Sequence, residues 1–592
     1  MRIEDIIREL NSKYPDKSKA VIEFNSIIKS LLTKDKKANE PIDIRKLVRK
    51  FPIIWDTKDN IRFIRPKFKS DNEYIEYLHG LNINSKPHEL PSYSPRFSLS
   101  NVHNFDKDWI NFDRKQVSDI IDEKSAKENK DMYGVSYYDL HHLIEENPII
   151  LDFLVDSFNW IVNSETELCD EWYRACTIIA RYKTGDVTKV SNFRPLMTFS
   201  LVVSMFDSLL SRKLKKVLND HSIIDTNVQM AFLKDYSGLW ESIYSVNKKL
   251  HEIDDSKICL FIDIKNAYGS VEYDTLIFIL EKYNFSPKFT RYIKFYYMNS
   301  FATFNKTCFK WNNGLYQGSG LSNILFLIYI DFCLKNLFQE LKMTKTIAFE
   351  YDLQENSFAF VDDIALFVPV ENIDNIIKLI QEIFMLYGLQ INQEKTYFIM
   401  NNRDITEIKS GCLTFNRATV DFLYLGINLS IFEDEFLNSV YEKIFKCCTK
   451  IDNLMIDPSV KLYIYYILIF IRITRLLECY YIIYGKTPKL EEIMINLGNF
   501  ISKWTKISPV NYMNGHIEYI ELKGKEKLRK MRRIVNSIEL SSDSINYNEL
   551  FGGEPPNNQM IENDLKNVIK SSHLNEEDDE NNDTYGEAIS CM

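Results

Sequence analysis

Two adjacent aspartates between two apolar runs constrain the fold of this chain more than any other feature. Residues 357–369 read Ser-Phe-Ala-Phe-Val-Asp-Asp-Ile-Ala-Leu-Phe-Val-Pro. The pattern predicts two buried strands joined by a tight turn that carries Asp362 and Asp363 at its tip. Rigid strands would hold the carboxylates while the turn leaves them open to ligands, which suits divalent cations. An ordinary polar turn is the alternative, so the metal interpretation needs a third carboxylate.

Asp263 is the candidate for that third carboxylate. Residues 257–263 read Lys-Ile-Cys-Leu-Phe-Ile-Asp, the pattern of a buried strand with an acid at its C-terminal end. If both strands lie in one sheet, the three carboxylates converge and repel one another unless cations neutralise them. Two divalent ions there would activate a primer 3′-hydroxyl and stabilise the leaving pyrophosphate. We expect Mg²⁺, with Mn²⁺ as a substitute, because all the ligands are oxygens.

The charge of the chain is unevenly distributed. Its 592 residues predict three or four domains at roughly 150 residues each, with a net charge of -10. Residues 541–592 carry 12 Asp or Glu and 2 Lys, whereas residues 1–540 carry 71 charges of each sign. A neutral body can contain a basic cleft, so composition neither supports nor excludes a nucleic acid partner. The ten cysteines show no zinc spacing, which predicts free thiols in a reducing compartment.

No membrane span or secretion signal is predicted. The N-terminus is charged and amphipathic and lacks the apolar core of a signal peptide, so we expect an intracellular protein. Residues 462–483 are almost wholly apolar, but Arg472, Arg475 and Glu478 interrupt them. Charges in the middle of a span cost about 2.5 to 3.5 kcal/mol each on insertion scales. This stretch is therefore interpreted as a core helix with the two arginines on an exposed or ligand-facing stripe.

Apolar periodicity outlines the remaining elements. Residues 177–183 and 187–190 predict a hairpin with a basic, glycine-containing tip. Beyond residue 541 the composition predicts a disordered acidic tail. Helices are predicted over residues 138–162, 201–218, 321–338 and 373–387, and over most of 436–505.

Five short segments follow one another in an order that is typical of one protein family. They are residues 261–268 (Phe-Ile-Asp-Ile-Lys-Asn-Ala-Tyr), 317–326 (Gln-Gly-Ser-Gly-Leu-Ser-Asn-Ile-Leu-Phe), 360–363 (Phe-Val-Asp-Asp), 388–396 (Gly-Leu-Gln-Ile-Asn-Gln-Glu-Lys-Thr) and 422–427 (Phe-Leu-Tyr-Leu-Gly-Ile). Together they resemble the reverse transcriptases of non-LTR (LINE-like) retrotransposons and of group II introns. The resemblance covers roughly residues 131–490.

The resemblance implies roles for the motif residues. Asp263, Asp362 and Asp363 would be the catalytic metal ligands. Tyr268 would stack under the sugar and favour deoxynucleotides, Gln317 and Gly318 would lie against the incoming nucleotide and template, and Lys395 would lie near the triphosphate, placed to protonate the leaving group. Tyr424, Leu425 and Gly426 would form the primer grip.

Basic residues outside these motifs receive nucleic acid roles. Residues 172–195 are similar to a fingers signature, in which Lys183 and Arg194 would contact nucleotide phosphates. Residues 229–232 (Gln-Met-Ala-Phe) match a further fingers element. Arg472 and Arg475 match the position of a thumb on the primer-template duplex. Residues 523–533 contain seven basic residues and one acid, so Lys523 and Lys530 would contact phosphates; a solvated helix face is the alternative.

The expected architecture is an α+β right hand: fingers, a palm whose antiparallel sheet carries the carboxylates, and a helical thumb. Its expected divisions are a helical N-terminal extension, fingers with palm, a helical thumb or connection, and the acidic tail, over residues 1–130, 131–430, 431–540 and 541–592.

The expected function is RNA-directed DNA polymerisation with an RNA template, a DNA primer and deoxynucleoside triphosphates. RNA-dependent RNA polymerase and a catalytically silent RNA-binding scaffold are the alternatives. Asn323 and Gly320 replace prolines common in the family, and Val361 adds bulk beside the acids; none of these removes a metal ligand. No nuclease motif is found, so we expect no DNA cleavage and a separate endonuclease as a candidate partner. The family suggests a nuclear location.

Overall fold

A computed structural model describes most of the chain between residues 130 and 505. The described residues are 3–31, 66–83, 111–125, 130–174, 176–183, 185–233, 238–312, 314–402, 404–411, 413–418, 423–425, 427–429, 433–470, 477, 487–505, 509–510 and 513. Within them the fold is α+β, as predicted, with helices packed around two larger sheets and one two-stranded ribbon.

Helices are present at the predicted positions, the one expected over 138–162 is divided in two at Pro148, and three further helices lie between residues 238 and 298. They are α1 (Ile3–Lys13), α2 (Lys17–Leu31), α3 (Asp71–Ile83), α4 (Arg114–Ser125), α5 (Tyr137–Glu146), α6 (Ile149–Asn163), α7 (Asp170–Tyr173), α8 (Leu201–Asp220), α9 (Gly238–His251), α10 (Tyr273–Lys282), α11 (Pro287–Met298), α12 (Gly320–Met343), α13 (Ile373–Leu386), α14 (Glu433–Asp452), α15 (Pro458–Tyr465) and α16 (Pro488–Trp504).

The strands are short, and several end at residues with predicted chemistry. They are β1 (Cys176–Tyr182), β2 (Phe193–Phe199), β3 (Lys257–Ile262), β4 (Phe301–Phe304), β5 (Thr307–Lys310), β6 (Ser357–Phe360), β7 (Asp363–Pro369), β8 (Tyr397–Ile399), β9 (Glu407–Ser410), β10 (Leu413–Arg417), β11 (Leu423–Tyr424) and β12 (Ile427–Asn428).

The six-stranded sheet has the order β6-β7-β3-β8-β10-β9. The sequence predicted an antiparallel sheet, and this is wrong for one pair, since β10 runs parallel to β8. The reason is local: β9 and β10 form an antiparallel hairpin, so β10 runs opposite to β9 and in the direction of β8. The pairs of β3 with β7 and β8, and of β6 with β7, are antiparallel.

Strand β3 is buried on both faces, which explains why its sequence shows no polar alternation. Ile258, Leu260 and Ile262 belong to the main hydrophobic cluster, which also contains α12. Cys259 and Phe261 face a second cluster, formed with residues of α9 and β7. Because side chains alternate along a strand, one continuous apolar run fills both clusters.

The four-stranded sheet has the order β2-β1-β4-β5. The predicted return strand at residues 187–190 is wrong, because β1 pairs instead with β2, up to Tyr182 opposite Phe193. In the intervening loop, Asp186 accepts hydrogen bonds from the backbone N–H and the hydroxyl of Thr188, at 2.9 and 2.8 Å, which form a turn. Pro195 is tolerated because β2 is an edge strand.

Helix α12 runs through the main core. It is the one helix in the described part that is long and apolar enough to cross a membrane, with a mean hydropathy of 1.5. However, 89% of its most apolar window is buried inside the fold, so it is a core helix. The other apolar stretch, residues 462–483, is described only in part. Of its side chains of known burial, Tyr463 and Tyr466 are half-buried and the others are buried: Leu462, Ile464, Tyr465, Ile469, Phe470 and Leu477.

Candidate active site

The strand register brings the three predicted carboxylates to one edge of the six-stranded sheet. Strand β3 pairs with β7 up to Ile262 opposite Ile364, so the next position sets Asp263 opposite Asp363. Phe360 pairs with Asp363, which leaves Val361 and Asp362 as a two-residue turn. The hairpin predicted from the sequence is therefore present, and its tip lies beside the end of β3.

The electrostatics of the carboxylates show that they interact. Burial raises the pKa of each one, and in Asp363 the charges of Asp362 and Asp263 add to burial and raise the pKa to about 7. The charge of Asp263 also raises the pKa of Asp362. Three acids that oppose one another's ionisation bind protons or cations readily.

A group of basic side chains faces these acids. Lys395, in the 3₁₀ turn Gln393–Lys395, lowers the pKa of all three aspartates against the larger effect of burial, and Arg194 does so for Asp263 and Asp362. Burial lowers the pKa of Lys183, and the charges of Arg194 and Lys395 lower it further. The three predicted phosphate ligands thus converge from the end of β1, from β2 and from the segment before β8.

Asn392 ties Asp263 to the segment that carries Lys395. Its Nδ2 donates to Oδ2 of Asp263 at 2.7 Å, and its backbone N–H donates to the carbonyl oxygen of Asp263 at 2.8 Å. The sequence motif assigns no role to Asn392. The available signal was its place three residues before Lys395, inside a motif already recognised.

Gln229 holds the turn that carries Asp362. Val361 has a φ of +62°, which is rare for a β-branched residue. The fully buried Gln229 accepts from the N–H of Val361 at 3.0 Å and donates to its carbonyl oxygen at 3.2 Å. On either side, the backbones of Val228 and Met230 bond Ala359 at 2.7 and 2.9 Å. The motif at residues 229–232 predicts a fingers element but not this contact of Gln229.

Gln317 and Gly318 lie on the strand that carries Arg194. The N–H of Met197 in β2 donates to the carbonyl oxygen of Gln317 at 2.7 Å. Gly318 has a φ of +117°, and a Cβ there would lie 2.5 Å from the carbonyl oxygen of Met197. Only glycine fits this position. The loop is therefore held against β2, three residues from Arg194.

Tyr268 lies beside the acids, in the 3₁₀ turn Ala267–Ser270 that follows β3. Its ring stacks on Phe326 with the centroids 5.0 Å apart and the planes at 14°. Its hydroxyl donates to Oδ1 of Asn323 at 2.8 Å. Burial raises the pKa of Tyr268, and the charge of Asp362 raises it further, which places the hydroxyl within electrostatic reach of the turn.

The predicted primer-grip residues form a tight hairpin, since β11 and β12 pair with Tyr424 opposite Ile427. Tyr424 is buried, with its ring 5.4 Å from that of Phe261 and its hydroxyl 2.8 Å from Oγ of Ser242. Leu425, in the turn, has a φ of +50°. The other predicted nucleic acid contacts lie outside the described residues, as does the acidic tail: Gly426, Arg472, Arg475, Lys523 and Lys530.

The donor set of the three aspartates fits divalent cations, since it offers carboxylate oxygens, which these ions prefer as ligands. Among the described residues, the group whose possible ligand atoms all lie within 4.8 Å of one another is His141, His142 and Glu145, on the surface of α5. The aspartates form a looser group, as expected of like charges.

Three carboxylates near three basic side chains can bind divalent cations and phosphate groups together. Comparison with known protein families adds a second, independent finding. Residues 183–429 match the family described as reverse transcriptase (RNA-dependent DNA polymerase). The resemblance seen in the motifs is confirmed.

Two individual proteins illustrate the relationship. The Transposon TX1 uncharacterized 149 kDa protein of Xenopus laevis is 25% identical over 273 residues, which cover 42% of this chain and 19% of the relative. The chain thus matches about a fifth of that relative's length. Among solved structures, telomerase from Candida albicans in complex with a TWJ fragment of telomeric RNA matches with 14% identity and a TM-score of 0.31, over 68% of both chains.

Proposed function

We propose that this protein is an RNA-directed DNA polymerase that adds deoxynucleotides to a primer 3′-hydroxyl. The observation that carries the proposal is the convergence of Asp263, Asp362 and Asp363 opposite the basic group. Both the aspartates and the basic group are needed, because phosphoryl transfer depends on positioning and on neutralising the charge of the triphosphate. The reverse transcriptase family match over residues 183–429 supports this reaction.

The carboxylates would hold two Mg²⁺ ions, with Mn²⁺ as a substitute. When bound, these ions supply charge neutralisation for the attacking hydroxyl and the leaving pyrophosphate. Asn392 keeps one oxygen of Asp263 oriented, and Gln229 keeps Asp362 at the tip of its turn. The chain therefore positions its ligands through neighbouring amides.

The basic residues have separate tasks in this proposal. Arg194 offers a planar guanidinium for two phosphate oxygens, whereas Lys183 acts as a single charge. Lys395, near all three aspartates, is placed to deliver a proton to the pyrophosphate as it leaves. Gln317 and Gly318 would support the incoming nucleotide and the template base.

The parts of a right hand can be assigned on this basis. The six-stranded sheet would be the palm, the four-stranded sheet the fingers, and α14 to α16 the thumb. The β11–β12 hairpin, which lies on Phe261 of β3, would be the primer grip. Recognition of the primer-template duplex would be mostly of backbone and shape.

The partners follow from the reaction. An RNA template, a DNA primer and deoxynucleoside triphosphates would bind, and a separate endonuclease would supply any DNA cleavage. A nuclear location completes the proposal, because a retroelement enzyme of this type acts on nuclear DNA.

Primer extension tests the proposed function. A DNA primer annealed to an RNA template is incubated with the protein and Mg²⁺, together with either deoxynucleotides or ribonucleotides. We expect extension with deoxynucleotides and much slower extension with ribonucleotides. Preferential use of ribonucleotides would favour an RNA-dependent RNA polymerase. RNA binding without any incorporation, with either Mg²⁺ or Mn²⁺, would favour the scaffold.

A further inference from the structure

Asn323 makes a contact that the family's usual residue cannot make. It lies near the start of α12, where related enzymes commonly have a proline, and its side chain is half-buried. Its Oδ1 accepts the hydrogen bond from the hydroxyl of Tyr268 at 2.8 Å. Proline has no side-chain acceptor, so this hydrogen bond depends on a residue particular to this chain.

Tyr268 is held at three points. Phe326 stacks on its ring, and lies three residues after Asn323, on the same face of α12. The backbone N–H of Leu315 donates to the carbonyl oxygen of Tyr268 at 2.7 Å. The stack restricts the tilt of the ring, and the hydrogen bond from Leu315 fixes the backbone from which the side chain extends. The hydroxyl bond to Asn323 restrains the remaining movement of the ring along the face of Phe326.

Asn323 is not among the contacts that anchor α12 itself. Ser319 caps the helix and donates to Asp207 at 2.8 Å, while Ser322 shares a 3.0 Å hydrogen bond with Tyr297. Both serines are buried. Removing the Asn323 side chain therefore leaves these anchors in place and acts on Tyr268.

We propose that Asn323 is a specificity-determining residue for the sugar of the incoming nucleotide. By fixing the Tyr268 hydroxyl, it holds the ring at the depth that leaves no space for a 2′-hydroxyl. This inference rests on the proposed function, in which Tyr268 lies under the sugar. Steric exclusion of one oxygen requires that the Tyr268 ring stay fixed, because a small displacement of the ring would open space for the 2′-hydroxyl.

Single-nucleotide insertion tests the inference. The kcat/KM for one deoxynucleotide and for the matching ribonucleotide are measured for the wild type, Asn323→Ala, Tyr268→Phe and the double variant. We expect the ratio of the two values to fall roughly tenfold in each single variant, the size of one lost hydrogen bond, and no further in the double variant. In Asn323→Ala the change should come mainly from a lower KM for the ribonucleotide, with kcat for the deoxynucleotide within about threefold of wild type.

Two further variants separate this role from a general structural one. Asn323→Asp keeps an oxygen acceptor of the same size and should retain the wild-type ratio. Tyr351→Phe removes a 2.8 Å hydrogen bond from another tyrosine, to the carbonyl oxygen of Phe367, and should leave the ratio unchanged.

The outcomes are distinct. An unchanged ratio in Asn323→Ala, or additive losses in the double variant, would overturn the inference while the proposed function stands. A wild-type protein that extends with neither nucleotide would overturn the proposed function, and the role of Asn323 with it.

Discussion

Asp263, Asp362 and Asp363 could be predicted from the sequence because each follows or begins an apolar run. A strand that ends in an acid carries its own signal. Gln229 and Asn392 could not be assigned in the same way, since their partners lie 132 and 129 residues away in the chain. Their roles depend on the register of the sheet, which determines the groups to which each side-chain amide is hydrogen-bonded.

The contact between Gln229 and Val361 leads to the first prediction. Gln229→Ala leaves the N–H and carbonyl groups of Val361 without their buried partner, at a cost of about 1 to 3 kcal/mol for each unsatisfied group. The left-handed turn would then relax and displace Asp362. We expect primer extension to fall at least roughly tenfold, measured as initial rate at saturating nucleotide.

An exposed glutamine supplies the control for this prediction. Gln354→Ala, in the loop before β6, should extend primers at the wild-type rate. Wild-type rates in both variants would contradict the view that Gln229 positions the turn.

The raised pKa values of the aspartates predict a pH-dependent metal affinity. Protonated carboxyls are poor ligands, so protons compete with the cation below the pKa of about 7 of Asp363. Binding of Mn²⁺, followed by electron paramagnetic resonance, should be roughly tenfold weaker at pH 6 than at pH 8. Asp363→Asn should lose most of this difference. Equal affinities of the wild type at the two pH values would contradict the burial of these acids.

At the scale of elements, periodicity predicted α8, α12 and α13 because each has a continuous apolar face or is apolar throughout. The error at β2 has a physical cause. Residues 187–190 have strand-forming composition, but the side chain of Asp186 offers hydrogen bonds that favour a turn. The parallel pairing of β10 with β8 could not be predicted from the sequence either, because it depends on the order in which the strands lie in the sheet.

Asp207 couples α8 to the start of α12 and predicts a pH effect on stability. Its carboxylate accepts a 2.8 Å bond from Ser319, the N-cap of α12, and burial raises its pKa to about 7, against the opposing charge of Lys124. Between about pH 4 and 7 the folded protein therefore holds a proton that the unfolded chain releases. The wild type should lose stability as pH rises through this window and stay at the lower level above it.

Asp207→Asn removes this loss because the amide is never charged. The variant should be more stable than wild type at pH 8, on the order of 1 to 4 kcal/mol, and the difference should shrink toward pH 4. Urea denaturation at several pH values measures it. Asp220→Asn, at the exposed end of α8, is the control and should show no such trend. A constant difference between Asp207→Asn and wild type across this range would contradict the buried carboxyl.

At the scale of the whole molecule, the described helices before residue 130 share the main core. Phe24 of α2 packs on Phe153 of α6 with the ring centroids 5.3 Å apart, and Asn25 donates to Asp131 at 2.7 Å. Val117 and Ile120 of α4 are fully buried in the same cluster. The predicted boundary at residue 130 stays a prediction. Hydrophobic pattern alone could not show how helices from this region would pack.

A shortened chain tests this packing. A chain that begins at residue 131 should expose the apolar surfaces of α6 and α8 and aggregate, as judged by size-exclusion chromatography, because large exposed apolar patches associate. Removing residues 541–592 instead, for which the sequence predicts no packed structure, should leave the protein soluble and its melting temperature unchanged. If the chain that begins at residue 131 were soluble and had the wild-type melting temperature, the N-terminal helices would be dispensable.

The proposed function depends on the hairpin at Asp362 being a metal site for polymerisation. Its most direct test is extension of a DNA primer on an RNA template with Mg²⁺ by the wild type, Asp362→Asn and Asp255→Asn. Asp255 belongs to a second pair of adjacent aspartates, just before the opposite end of β3, and is exposed. We predict extension by the wild type and by Asp255→Asn, and a loss of roughly 100-fold or more in Asp362→Asn. Equal extension by all three proteins would contradict the assignment.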